Sequence, residues 1–194
     1  VKTGSWYAGT VGAMTEQGLL SGYPDGTFRP SRTISAAEFV AIVARCGGLQ
    51  AAASGGAHWD SGTMQAALNA GWYDWDELPP TGEKYDQPIA RQLAVNILMR
   101  ALLPDKTGDY NTESAKMDDF AELSCRYYNK VLAAYACGVV CGDDRGCFHP
   151  ASGLTRAEAC AIIQRALALT DGTTAPVTPS EPETPSVSAE AKGG

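Results

Sequence analysis

The 194-residue sequence predicts a mainly α-helical protein made of three helix-loop-helix repeats. Three observations support this class: the chain resembles itself at a fixed offset, amphipathic helical stripes recur, and glycine-rich turns separate them. Two short helices cannot bury their apolar faces alone, so the repeats must pack together. We therefore expect a pseudo-threefold six-helix bundle.

The clearest duplication appears when the chain is shifted by 120 residues, which superposes two segments without a gap. The identical pairs are Gly22/Gly142, Gly26/Gly146, Phe28/Phe148, Pro30/Pro150, Ala37/Ala157, Glu38/Glu158, Ala41/Ala161, Ile42/Ile162 and Arg45/Arg165. Chance agreement from ordinary composition would give only one or two such pairs. These segments are two copies of one repeat.

A third, more divergent copy lies between them. Its recurring residues are Trp6/Trp59 and Gly18/Gly71 at an offset of 53, and Ile34/Ile89, Ile42/Ile97 and Arg45/Arg100 at an offset of 55. The two extra residues fall in the loop, where an insertion costs little. We therefore divide the chain into unit one (1–49), unit two (57–104) and unit three (117–169).

The first helix of unit one is predicted from Tyr7, Val11 and Met14, which share one helical face. Gly18 stands where a left-handed residue would end that helix. A turn at residues 24–26 (Pro-Asp-Gly) follows, since proline pre-sets φ and glycine accepts a positive φ.

The second helix of each unit has the stronger signal. Ser35 with Glu38, and Thr155 with Glu158, form the pattern of a capping box. The apolar stripes behind these starts are Phe39, Ile42, Val43 and Cys46 in unit one; Ala94, Ile97, Leu98 and Ala101 in unit two; and Ile162, Ile163 and Ala166 in unit three.

Composition narrows the function. The formal net charge is -7 and the pI is about 4.8, which argues against nucleic-acid binding because that requires a broad basic face. No apolar run approaches the length of a membrane span, so we expect no membrane insertion. Residues 170–194 are rich in Pro, Thr, Ser and Glu and are predicted to be a disordered linker or tail.

The motifs resemble those of the S-layer homology family. The segment Gly18–Pro30 (GLLSGYPDGTFRP) with Trp6-Tyr7 before it, and Leu154–Glu158 (LTRAE), match the pattern of that family. The resemblance is strong in units one and three and moderate in unit two. It implies a non-catalytic, cell-surface module, extracellular at the cell wall or S-layer. Its partner would be secondary cell-wall polysaccharide linked to peptidoglycan, held non-covalently and often pyruvylated, and another extracellular module would be fused to it.

The candidate carbohydrate-binding residues are aromatic residues, loop glycines, loop aspartates and arginines. They are Trp6, Gly22, Tyr23, Asp25, Gly26, Arg91, Gly142, Asp144, Gly146 and Arg156. Arginine binds a carboxylate with two parallel hydrogen bonds, as an acidic sugar would require. Arg91 and Arg156 are singled out because a positive charge in the first turn opposes the helix dipole.

The units also depart from the family pattern. Ala36 replaces the signature arginine in unit one, Leu93 replaces the capping glutamate in unit two, and Arg145 stands where unit one has Asp25. We therefore expect one composite groove, formed by the arginine of one unit and the loop of a neighbour. The alternative function is a structural or protein-interaction array that has lost glycan binding.

Other chemistries have weaker support. A zinc site of Cys137, Cys141, Cys147 and His149 fits no common spacing, and unit one has no ligands at the equivalent positions, so no metal and no cofactor are expected. A Cys141–Cys147 bridge is favoured over zinc; for the six cysteines together, disulfides and free thiols remain equally open. With two histidines and no Gly-x-Ser-x-Gly motif, no catalytic set stands out, and the prediction is that the chain is not an enzyme.

Overall fold

The computed structural model describes residues 5–51 and 58–170. Within these residues it has eight α-helices and no strand, which confirms the mainly helical class. The helices are α1 (Ala8–Glu16), α2 (Ala36–Cys46), α3 (Ser61–Asn69), α4 (Gly82–Asp86), α5 (Arg91–Leu102), α6 (Tyr110–Ser114), α7 (Tyr128–Ala136) and α8 (Arg156–Thr170). Of the tail predicted over 170–194, Thr170 is the last residue of α8, and the rest lies outside the described residues.

Six of these helices are the predicted pairs, and their starts follow the sequence signals. Ser35 accepts a hydrogen bond from the backbone N–H of Glu38, whose carboxylate accepts one from Ser35 N–H in return. Thr155 and Glu158 make the same reciprocal bonds at the start of α8. Gly18 has φ +70°, as expected of the residue that ends α1. Both capping boxes and this helix end are therefore confirmed.

The helices of different units interleave. The first helix of unit two (α3) packs against the second helix of unit one (α2), α7 packs against α5, and α1 packs against α8. Each unit thus buries its first helix against a neighbour, and one apolar core runs through all three. The closely packed helix pairs are therefore formed between neighbouring units.

A ring of backbone hydrogen bonds closes the centre of the bundle. Ile34 N–H donates to the carbonyl of Leu154 (2.9 Å), Leu154 N–H to that of Ile89 (3.3 Å), and Ile89 N–H to that of Ile34 (3.1 Å). All three side chains are buried. We call Ile34, Ile89 and Leu154 the axial ring. It occupies the same position in each unit, two residues before the second helix, and produces the threefold pattern.

The start of each second helix also docks onto the loop of a neighbouring unit. Arg156 N–H donates to the carbonyl of Arg32 (2.9 Å) and Ala157 N–H to that of Pro30 (3.1 Å). The equivalent bonds join α5 to the unit-three loop and α2 to the unit-two loop; they are Arg91 to Ser152, Gln92 to Pro150 and Ala36 to Gln87. These contacts bring the arginine of one unit to the loop of the next.

Candidate functional site

The unit-one loop is a tight turn fixed by its own polar groups. Tyr23 N–H donates to the carbonyl of Thr27 (2.8 Å), and Gly26 adopts φ +75°. A β-carbon on Gly22 would lie 3.1 Å from that carbonyl oxygen, so the close approach favours glycine. Asp25 accepts hydrogen bonds from Thr27 and Arg29, which hold the pKa of its carboxyl well below the usual range. Three of the predicted binding residues, Gly22, Asp25 and Gly26, thus also build the loop.

Arg156 of unit three enters this loop from the side. Its Nε donates to the carbonyl of Phe28 (3.1 Å) and its Nη2 to that of Ser21 (3.2 Å). Its guanidinium carbon lies 4.8 Å from the ring centroid of Tyr23, and the residue is only 5% exposed. These contacts offset the cost of a positive charge at the start of α8. Arg156 therefore fixes the loop of another unit, besides any contact with a ligand.

A groove of about 150 Å3 lies beside this arginine, and all three units contribute to it. Its lining residues are Leu20, Ser21, Gly22, Tyr23, Glu38, Ala41, Ile42, Arg45, Trp59 and Arg156. Trp59, the lining residue from unit two, is 65% exposed. The structure thus contains a groove with the composite make-up expected from the sequence.

Beside the groove, three guanidinium groups and two carboxylates lie around Tyr23, and the carboxylate of Asp25 is paired with Arg29 at 2.6 Å. Three guanidinium groups surround the Tyr23 ring, those of Arg29 (4.4 Å), Arg156 (4.8 Å) and Arg32 (5.3 Å). Glu38 is paired with Arg32 at 2.8 Å and lies 3.5 Å from Arg156. Burial raises the pKa of Glu38, but hydrogen bonds from Ser35 and Arg32 outweigh it and lower that pKa overall. The glutamate is therefore ionised and partly neutralises the arginines.

The other predicted binding residues lie elsewhere. Trp6, at the start of α1, is 44% exposed and packs edge-on against Tyr7. Arg91 is buried beside the unit-three loop, where its Nη2 donates to Glu158 at 2.5 Å. Gly142, Gly146 and the exposed Asp144 belong to that same loop. The structure thus brings Gly22, Tyr23 and Arg156 together in one groove, beside Asp25 and Gly26, and leaves the other five candidates outside it.

The candidates selected from the sequence omit Trp59, which lines the groove, and Arg29 and Arg32, which lie beside it against Tyr23. Trp59 carried a signal, because it is the repeat equivalent of Trp6. Arg29 and Arg32 had no signal that separated them from ordinary surface arginines, since their common contact with Tyr23 exists only in the folded loop.

The unit-three loop brings together three side chains of metal-ligand type: Asp143, Cys147 and His149. Cys137 and Cys141, which completed the zinc set weighed from the sequence, are not part of this group in the described residues. All six cysteines lie in the described part of the chain and all are free thiols, so the Cys141–Cys147 bridge is not formed.

Comparison with known proteins finds one family model that matches two segments of the chain. The model of the S-layer homology domain matches residues 1–40 and 116–160. The chain is 28% identical to cell surface glycoprotein 1 of Acetivibrio thermocellus over 178 residues, which is 82% of this chain and 7% of that protein. It is 25% identical to exoglucanase XynX of the same species over 167 residues, 82% of this chain and 15% of the enzyme.

A shorter and closer match is to a cellulosome-anchoring protein of the same species. It is 45% identical over 42 residues, 22% of this chain and 9% of that protein. The chain thus spans a small fraction of each of these relatives. Among the described residues, no helix has both the length and the apolarity that crossing a membrane requires.

Proposed function

Residues 1–40 and 116–160 belong to the S-layer homology family, and on this premise we propose that the chain is a non-catalytic cell-wall anchoring module. Its ligand would be an acidic secondary cell-wall polysaccharide linked to peptidoglycan, bound non-covalently in the unit-one groove. The observation that carries the proposal is the composite groove, which is lined by Tyr23, Trp59 and Arg156. Arg29 and Arg32 lie beside it, against the Tyr23 ring.

The chemistry of the groove fits such a ligand. Clustered guanidinium groups favour a carboxylate, such as that of a pyruvyl ketal, because charge-assisted bonds to arginine are strong and directional. Trp59 and Tyr23 supply aromatic faces against which the apolar side of a sugar ring can pack. The groove is smaller than the pockets of about 300–1,000 Å3 that enclose drug-sized ligands. It would therefore hold a single acidic sugar of a longer polymer.

The wider role follows from the relatives. The matched segments are a small part of each relative, whether that protein is named as an enzyme, a surface glycoprotein or an anchoring protein. This distribution supports a module that attaches different larger proteins to the cell surface. On this proposal the chain acts at the cell wall, fused to another extracellular module.

Co-sedimentation with purified peptidoglycan carrying its wall polymer tests the proposal. We expect the chain to sediment with the intact polymer, and to lose binding when the acidic substituents are removed. High salt should also weaken the interaction, because exposed charges are screened. Failure to sediment at any salt concentration would instead favour an array that keeps the fold without glycan affinity.

Two tryptophan substitutions test whether the groove is the binding site. Trp59→Ala should weaken binding by about 5- to 30-fold, the equivalent of about 1–2 kcal/mol of lost contact, without a change in melting temperature. Trp75→Ala is the matched control, because Trp75 is 62% exposed, lies in unit two and does not line the groove. Equal effects of the two substitutions on binding would place the site elsewhere.

Arg156→Ala is a less specific test. The sequence leads to the expectation that it weakens binding without unfolding the protein. Because Arg156 is buried and bonded to two carbonyls of the unit-one loop, its loss should also lower the free energy of unfolding. Binding of this variant is therefore compared at a temperature where circular dichroism shows it fully folded.

A further inference from the structure

The unit-three loop contains three potential metal ligands of different types in one turn. The Asp143 carboxylate, the Cys147 sulfur and a ring nitrogen of His149 offer ligand atoms that all lie within 4.8 Å of one another. His149 Nε2 is 3.0 Å from Asp143 Oδ2. The three residues are partly buried, so the group is accessible to an ion but not fully hydrated.

The loop holds these side chains in place. Asp143 Oδ1 accepts hydrogen bonds from the backbone N–H groups of Arg145 and Cys147, both at 2.9 Å, so Oδ2 faces His149. His149 has a positive φ of +57°, which is unfavourable for a residue other than glycine. Asp119 stabilises this conformation by accepting the N–H groups of Phe148 (2.8 Å) and His149 (2.6 Å). The turn is therefore preorganised before any ligand arrives.

We propose that Asp143, Cys147 and His149 bind a zinc-type transition-metal ion. Thiolate, imidazole and carboxylate are the ligands that Zn2+ takes in proteins, often three from the chain with water as the fourth. Bonds of about 2.0–2.3 Å place tetrahedral ligand atoms roughly 3.3–3.6 Å apart. The Asp143–His149 pair is already at about that distance, and the Cys147 sulfur, within 4.8 Å of both ligand atoms, would move closer on binding.

The surroundings also favour a cation. Asp119 binds the backbone of the same loop, and Asp118 N–H donates to the carbonyl of Gly146 (3.0 Å). The two carboxylates add negative charge next to Cys147. This negative charge disfavours the Cys147 thiolate, and a bound cation offsets it because it stabilises the thiolate directly.

The two strong repeats thus differ in ligand chemistry on the same backbone. The unit-one equivalents of Asp143, Cys147 and His149 are Tyr23, Thr27 and Arg29, of which Tyr23 lines the unit-one groove. In the sequence, the lack of ligands in unit one weighs against a metal site. In the structure, the same difference shows that the ligand group is specific to unit three. Its third ligand is Asp143, which the spacing of cysteines and histidine did not include. The metal site goes beyond the proposed glycan binding and does not depend on it.

One neighbouring cation competes for the same oxygen. Arg145 Nη2 lies 3.6 Å from Asp143 Oδ2, and its side chain is 74% exposed. An exposed ion pair of this kind is weak, so the arginine can swing into solvent when a metal binds. Removing it should increase metal affinity.

Titration of the reduced, metal-free chain with Co2+ tests the site. A thiolate-to-cobalt charge-transfer band should grow to saturation at one equivalent and disappear when Zn2+ displaces the cobalt. Cys147→Ser should abolish the band, and His149→Ala should weaken binding at least about tenfold, since even the loss of an outer partner costs that much. Cys141→Ser is the matched control, because Cys141 is an exposed thiol in the same loop. It should leave both band and affinity unchanged.

Several results would overturn the assignment: no charge-transfer band, a band that persists in Cys147→Ser, or one that is lost in Cys141→Ser. Arg145→Ala should tighten Co2+ binding several-fold, and weaker binding in that variant would contradict the geometry. Circular dichroism of each metal-free variant separates loss of the site from loss of the fold.

Discussion

Individual residues couple the units through arginine–glutamate pairs. Arg156 reaches Glu38 of unit one, and Arg91 reaches Glu158 of unit three. The third such pair would join positions 36 and 93, where the chain has Ala36 and Leu93. Ala36 and Leu93, which look like independent departures in the sequence, thus occupy the two positions of one missing ion pair. An apolar pair can replace a buried ion pair at little cost, whereas the loss of one partner alone is costly.

This equivalence predicts a non-additive double mutant. Glu158→Leu alone should lower the free energy of unfolding by about 3 kcal/mol, because it removes both a cap and the carboxylate paired with the buried Arg91. Adding Arg91→Ala recreates the Ala36/Leu93 combination and should recover part of that loss. Urea unfolding of both single mutants and the double mutant measures the coupling. Strictly additive effects would mean that the pair makes no joint contribution.

The same residues show where sequence reasoning stops. The capping boxes at Ser35 and Thr155 could be predicted because both partners lie within four residues. Arg91 and Arg156 were selected as ligand residues because each opposes its own helix dipole, which is a local argument. Their glutamate partners are 67 and 118 residues away in the chain, and only the packing of the units reveals them.

At the scale of elements, the segment that connects α5 and α6 packs closely against α7. A β-carbon on Gly108, in the segment between α5 and α6, would lie 2.4 Å from the carbonyl oxygen of Leu132 in α7. This contact is with backbone and cannot be relieved by a side-chain rotation. Gly12, inside α1, has no such neighbour within 4 Å. The sequence gives no signal that separates these two glycines, nor does its repeat pattern predict the short helices α4 and α6.

Two alanine substitutions should therefore have opposite effects. Gly12→Ala should raise the free energy of unfolding by about 0.5–1 kcal/mol, because glycine weakens a helix interior. Gly108→Ala should lower it by about 1–3 kcal/mol through overpacking against α7. Thermal unfolding of the two variants beside the parent chain tests this. A neutral Gly108→Ala would show that the segment after α5 is loosely attached.

The start of α3 depends on a titratable contact. His58 is hydrogen-bonded to the buried Asp60 and, through Nε2, to Asp86 at the end of α4 (3.2 Å). The hydrogen bond to Asp60 is the main cause that raises the pKa of His58 above its ordinary value of 6.5. A raised pKa in the folded state stabilises the protein fully below pH 6.5, and this contribution is lost as the pH rises through the folded-state value.

We therefore expect the melting temperature to fall between about pH 6 and pH 8 by an amount that depends on His58. His58→Gln removes the titrating group and should flatten the profile over that interval. Comparing the two chains subtracts the effect of all other groups, including cysteines that titrate in the unfolded state. Parallel profiles would show that His58 carries no linked proton.

For the whole molecule, interleaved helices and the axial ring predict that the three units unfold together. In an open array of repeats each unit contacts only its neighbours, and stability is a sum of local terms. Here the ring closes on itself through Ile34, Ile89 and Leu154, and the last unit returns to the first through α8 and α1. The sequence predicts three repeats that must share a core, but the closed order depends on contacts between residues more than 100 positions apart.

A buried thiol in unit three can report on a substitution in unit one. Cys160 is fully buried, and burial raises the pKa of its thiol to about 12, so the folded state should resist alkylation. Ile34→Ala removes an axial-ring side chain and should lower the free energy of unfolding by about 2–5 kcal/mol. The rate of Cys160 alkylation is measured by mass spectrometry of its peptide, under conditions where the protein opens and closes rapidly. If the units unfold together, Ile34→Ala should increase this rate by the factor that corresponds to the lost free energy of unfolding. Glu16→Ala, an exposed change in the same unit, should leave the rate nearly unchanged. Unaltered protection of Cys160 in Ile34→Ala would mean that unit three opens independently, and the bundle would then behave as an open array.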